Sequence, residues 1–166
     1  MTVKFLSAVV FVRDIQVSRT FYENLLGQKV SMDHGVNVGY EAGFALWQNV
    51  HAREIIFGAE AGPVPASLGQ QNFELYFETE DLDMALEQLT QAGVQFVHPL
   101  FEQPWGQRVF RIYDPDGHIV ELGEPMSAPI VRFLADGMSV EQIVAKTSMP
   151  IEIVHQVAEA GIAVPK

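Results

Sequence analysis

Glu74 and Glu121 are the side chains whose type and spacing point most directly to chemistry. Strict alternation from Phe73 to Thr79 sets Phe73, Leu75 and Phe77 on one strand face and Glu74, Tyr76 and Glu78 on the other. Two glutamates on a fully buried face would each cost several kcal/mol unless paired or bound, so this face is expected to look into solvent or a cleft. Glu121 follows the turn Asp114-Pro-Asp-Gly117 and shares a strand face with Ile119. If both carboxylates face one cavity with no cation between them, they repel, and at least one is expected to titrate above its ordinary value and to be a candidate general base.

The elements that must position them form a repeat. Phe5 to Val12 reads as an apolar strand, Asp14 as a cap, and Ile15, Tyr22, Leu25 and Leu26 as one helix face running up to Gly27. After the strand at Phe73, Asp81 opens a second helix marked by Leu82, Ala85, Leu86, Leu89 and Ala92 and stopped at Gly93. An offset of 67 lays SAVVFVRDI (from Ser7) over ELYFETEDL (from Glu74), and GFALW (from Gly43) lies over GHIVE (from Gly117). The chain therefore reads as two βαβββ modules, about 4–58 and 72–124, an α+β architecture. The Gly- and Pro-rich stretch 58–71 is the expected linker. Ser7, Trp47, Glu74 and Glu121 become four equivalent positions of the repeat.

Around them lie aromatic residues with two readings. Phe11, Trp47, Tyr76 and Trp105 fit a plain core, and they equally fit the wall of a cavity for a planar or apolar ligand. Simple hairpin pairing at the Asp-Pro-Asp-Gly turn sets Phe110 opposite Glu121 and puts Arg111 on the other face, unless a bulge shifts the register. Glu121 also has a structural reading, a strand-end carboxylate paired with Arg108, Arg111 or Arg53. The five histidines, His34, His51, His98, His118 and His155, have no ligand spacing, and only His51, just past Trp47, could fold over a cavity mouth. No GxSxG turn or phosphate-cradling glycine loop occurs.

Composition narrows the class. The 166 residues carry 21 acidic and 10 basic side chains, a formal charge of −11 and no cysteine, which excludes a disulfide scaffold, a thiolate site and a cysteine nucleophile. The scattered Lys and Arg argue against nucleic acid, and the longest apolar run, Ala8 to Val12, is far short of the ~20 residues that span a bilayer. The start MTVKFLSAVVFVRD lacks the features of a signal peptide, so the cytoplasm is expected. From Met126 the pattern changes to two or three short helices: IVRFLADG, then a capping box at Ser139 opening a helix through Thr147, then Pro150 before IEIVHQVAEAG. Residues 126–166 are read as a helical extension for packing or for clasping a dimer.

VRDIQVSRTFY with LLG in the first module, and ETEDLDMALEQLTQAGV with YDPDGHIVEL in the second, resemble the vicinal oxygen chelate superfamily. That superfamily includes glyoxalase I, methylmalonyl-CoA epimerase, extradiol dioxygenases, and the fosfomycin and bleomycin resistance proteins. The resemblance covers residues 4–124. It implies paired modules whose eight strands curl into an open barrel-like sheet around a cavity, often in a homodimer. Its metal ligands would fall on Ser7, Trp47, Glu74 and Glu121, of which only Glu121 matches the usual residue type. Glu74 and Glu121 are thus the candidate catalytic and metal residues, with one divalent ion (Mg²⁺, Mn²⁺, Ni²⁺, Zn²⁺ or Fe²⁺) and a metal-free site as equal alternatives. Ser7, Phe11, Trp47, Tyr76, Trp105 and Phe110 are the candidate substrate-binding residues. The resemblance implies an enzyme of lyase, isomerase or dioxygenase type acting on a small carbonyl, hydroxy-acid or aromatic metabolite. The alternative is a metal-free protein that sequesters a small molecule, for which the acidic surplus favours cationic ligands.

Overall fold

A computed structural model describes residues 1–160. The chain divides into two units, Met1–Glu74 with Tyr113–Ile119, and Leu75–Ile112 with the chain from Val120 onward. Each carries a four-stranded sheet built in the same order, so the repeat read from the sequence is an architectural one.

In the first unit β1 (Ala8–Val12), β2 (Val30–Asp33), β3 (Asn37–Tyr40) and β4 (Phe44–Gln48) form a sheet ordered β1-β4-β3-β2. Strand β1 runs parallel to β4, with Ala8 opposite Phe44 and Val12 opposite Gln48. It starts at Ala8 rather than Phe5 because the residues before Phe44 are taken up in the turn that follows β3; the first rung is the Ala8 N–H on the Gly43 carbonyl. Asp14 caps α1 (Ile15–Arg19) by accepting the amides of Gln16 and Val17, and the helix widens into a π turn at Thr20–Leu25 that buries Phe21 and Tyr22. Alternation then sorts β1 as expected, with Val10 and Val12 buried and Val9 and Phe11 turned outward.

After β4 the chain forms the helix α2 (Asn49–Phe57), an element beyond the βαβββ pattern expected of the first module. Val50, Ile55, Ile56 and Phe57 are half-exposed around it, so no clean apolar stripe announces the helix. A short 3₁₀ turn follows at Gly58–Glu60, and the chain is then irregular through the expected linker.

The turn Tyr113–Ile119 belongs to this first unit. Buried Asp114 accepts the Tyr22 hydroxyl at 3.0 Å and the backbone N–H groups of Asp116 and His118. The Asp116 carboxylate accepts the Arg13 amide, and the His118 Nε2–H donates to the Phe11 carbonyl at 2.9 Å. Gly69 lies so tightly on the turn that a Cβ there would sit 1.8 Å from the Gly117 carbonyl oxygen.

The second sheet is made of β5 (Glu74–Glu78), β6 (Phe96–Glu102), β7 (Arg108–Tyr113) and β8 (Ile119–Gly123), ordered β5-β8-β7-β6, with α3 (Leu82–Gln91) after β5; all but the strand-end residues Glu74, Tyr113 and Ile119 belong to the second unit. Asp81 caps α3, and Leu82, Leu89, Val109, Phe110, Val120 and Leu122 are buried. The tail folds as α4 (Ser127–Ala135), α5 (Val140–Thr147) and α6 (Ile151–Ala160) around Ile130, Phe133, Ile143 and Val154. The Ser139–Gln142 capping box is present, while the last residue of IEIVHQVAEAG, Gly161, lies outside the described residues. Helix α4 is fixed to its own unit by Arg132, which donates to Glu124 at 2.7 Å and to the Gly106 carbonyl at 2.7 Å.

Candidate functional site

Glu121 is 6% exposed and forms an ion pair with Arg111. Hydrogen bonds from Asp114 N to His118 O and from Glu124 N to Arg108 O bracket the β7–β8 hairpin, so Arg111 faces Glu121 and Phe110 faces Leu122. Simple pairing places Phe110 there and is one residue out: Gly117, at φ +85°, extends the loop to three residues, Pro115 to Gly117. Phe110 is fully buried instead and packs on Phe96 at 5.7 Å between ring centres.

The other candidates are divided between the two units. Glu74 falls in the first unit and is exposed beside a small pocket of about 370 Å³ that Phe73 and Ile119 also line. Ser7 lies outside the strand and donates to the Ala8 carbonyl at 2.9 Å. Trp47 stands edge-on to Phe11 at 6.2 Å and donates its indole N–H to Nδ1 of His51, a residue of α2, at 2.9 Å. In the second unit Tyr76 and Trp105 meet through buried Gln107: the amide donates to the Tyr76 hydroxyl at 2.8 Å and accepts the Trp105 N–H at 3.2 Å. Burial pushes the Tyr76 phenol up to about 12, and its hydrogen bond to Glu78 adds to the shift.

These residues do not fit a divalent ion at the four repeat positions. An indole N–H is a donor only, so Trp47 offers no ligand atom, and the Glu121 charge is balanced by Arg111. Among the described residues no group of three or more His, Asp or Glu could hold a metal.

The first unit does contain a pocket of about 810 Å³, within the usual range for a small-molecule site. Val9, Phe11, Leu68 and Phe73 supply apolar wall, and Asn49, Arg53 and His118 supply polar groups. Asn49, the first residue of α2, is 3% exposed, yet its Oδ1 has no hydrogen-bond partner among the described residues; neither does Arg53 Nε one turn later. A carbonyl only accepts, so in the His118 bond to Phe11 it is Nε2 that carries the proton. Arg53 is the only formally charged residue of the lining among the described residues, so this pocket does not share the acidity of the chain. Of the candidates that the sequence pattern singles out, Phe11 alone lines it. Asn49 and His118 carried no signal as isolated residues, and Arg53 stood only as a candidate partner for Glu121.

Residues 5–127 match the family described as the glyoxalase-like domain, and the chain belongs to that family. A structure of a protein of unknown function from Agrobacterium tumefaciens str. C58 is 41% identical, covers 75% of this chain and 96% of its own, and superposes with a TM-score of 0.69. A glyoxalase/bleomycin resistance protein/dioxygenase superfamily member from Sphaerobacter thermophilus DSM 20745 is 27% identical over 75% of this chain and 98% of its own, with a TM-score of 0.56. A lactoylglutathione lyase from Agrobacterium tumefaciens, 19% identical over 74% of this chain and 94% of its own, shares the fold with a TM-score of 0.57. Uncharacterized proteins of Mycobacterium bovis and Mycobacterium tuberculosis are 34% identical over 62 residues, 37% of this chain. That match spans 41% and 36% of their lengths, about two fifths of these curated relatives. Among the described residues no helix is long and apolar enough to cross a membrane.

Proposed function

We propose that this chain is a small-molecule-binding member of the glyoxalase-like family that works without a resident metal, its ligand seated in the 810 Å³ pocket lined by β1 and α2. The observation that carries this reading is the Glu121–Arg111 ion pair, which takes up the one carboxylate that matches the superfamily's ligand pattern. Elemental analysis of untagged protein, beside a Glu121→Gln variant, tests it. Sub-stoichiometric metal in both, with melting unmoved by added Mn²⁺, Ni²⁺ or Zn²⁺, is expected; stoichiometric metal that disappears in the variant overturns it.

A second reading, an enzyme of lyase, isomerase or dioxygenase type on a small carbonyl, hydroxy-acid or aromatic metabolite, is favoured by one observation. Phe73 lines both the large pocket and the smaller one that Glu74 borders, so a carboxylate stands next in the chain to a pocket wall. In that reading Glu74 removes a proton next to a carbonyl, and Glu74→Gln abolishes turnover while leaving ligand binding intact. A cytoplasmic homodimer completes the proposal; the elution volume of the full chain checks the dimer.

A further inference from the structure

We propose that the large pocket recognises a small 2-hydroxy acid with an aromatic or branched apolar body, read by Asn49 and Arg53. This rests on the reading of that pocket as the ligand site and names the ligand's class. The two unpaired atoms are of opposite kind: Asn49 Oδ1 accepts and Arg53 Nε donates. They stand one turn apart on α2, so their complement is a ligand edge that carries a donor beside an acceptor. A 2-hydroxy carboxylate has that edge, its hydroxyl donating to Asn49 and its carboxylate accepting from Arg53.

Charge selects the acid over a neutral amide with the same donor and acceptor. The lining holds one arginine and no carboxylate among the described residues, in a chain of net charge −11. Helix α2 also opens at Asn49 without a side-chain cap, leaving the positive end of its dipole at the pocket. The acidic surplus predicted cationic ligands; the pocket's own charge points the other way, because the net charge is spread over surfaces the pocket does not include. In the free chain both atoms are shielded from water, so the ligand takes them up as the two side chains turn toward the open space. Phe11, Phe73, Val9 and Leu68 then cover the apolar body, where Phe11 already stands edge-on to Trp47.

Calorimetric titration of the full chain with three probes separates the elements of the claim: 3-phenyllactate, 3-phenylpropanoate without the hydroxyl, and 3-phenyllactamide without the charge. The hydroxy acid should bind about tenfold more tightly than either comparison compound, the scale of one well-made hydrogen bond or exposed ion contact. Arg53→Gln should erase the preference over the amide, Arg53→Lys should restore part of it, and Asn49→Ala should erase the preference over the deoxy acid. Near-UV circular dichroism confirms that each variant is folded, and the part-exposed Arg53 pair serves if Asn49→Ala is not. Equal binding of acid and amide, or of hydroxy and deoxy acid, overturns this ligand class and leaves the metal-free pocket standing. Failure of all three probes to bind also overturns the class. Stoichiometric metal lost on Glu121→Gln overturns the metal-free reading instead.

Discussion

Tyr22 and Asp114, 92 positions apart in sequence, are joined by a hydrogen bond of 3.0 Å between two buried side chains. The tyrosine is wholly enclosed, its ionisation is pushed far up, first by burial and then by the neighbouring carboxylate, and it stays a donor across the working pH range. Tyr22→Phe removes the donor and leaves a buried carboxyl oxygen unpaired. A loss of about 1–3 kcal/mol in urea unfolding is expected.

Asp114 makes the stability pH-dependent. Burial, the largest influence, raises its pKa above the ordinary carboxylate value despite the amides and hydroxyl that favour the ion. A carboxyl whose folded pKa is raised contributes stability that is complete below its unfolded value of about 3.9 and is lost as pH rises through the folded value. Asp114→Asn should flatten this part of the unfolding free-energy profile against pH. An unchanged slope above pH ~4 would mean that Asp114 does not carry it.

The Glu121–Arg111 pair predicts a double-mutant signature. Glu121 is nearly buried and Arg111 keeps 22% of its side chain exposed, so Glu121→Gln should cost about 1–3 kcal/mol, less than the ~3–5 of a fully buried pair. Replacing both by leucine and methionine should recover most of that loss. Chemical denaturation of the four proteins measures the coupling.

Gly106→Ala should free the tail. A Cβ at this position, which has φ +92°, would lie 2.2 Å from the Phe133 ring at the heart of the α4–α6 cluster. Limited proteolysis in the segment 124–140 should accelerate, with a stability loss above ~2 kcal/mol from strain and lost packing.

Tyr76 offers a spectroscopic check. Desolvation is the main cause of its pKa of about 12, and the Glu78 bond is the second. Glu78→Gln should lower the value toward the ordinary ~10 without reaching it, as read from tyrosinate absorbance.

The duplicated module was legible because its signals are local. Asp14 and Asp81 cap helices, Gly27 and Gly93 end them at φ +64° and +69°, and Gly43 and Gly117 turn into closing strands at φ +86° and +85°. The hairpin register was not legible, since whether Gly117 joins the loop or the ladder depends on hydrogen bonds at both ends of the strands. Helix α2 escaped notice because it covers a pocket rather than a core and so has no continuous apolar stripe. The Asn49 and Arg53 atoms gain their meaning from having no hydrogen-bond partner among the described residues, a property that only packing defines.

The close seating of Gly69 on Gly117 has a kinetic consequence. Ser67, Leu68 and Gln70, which form one wall of the large pocket, flank that glycine and cannot settle until the distant Asp-Pro-Asp-Gly turn has closed. During refolding, binding competence should therefore arrive after the secondary structure, as a separate slower phase.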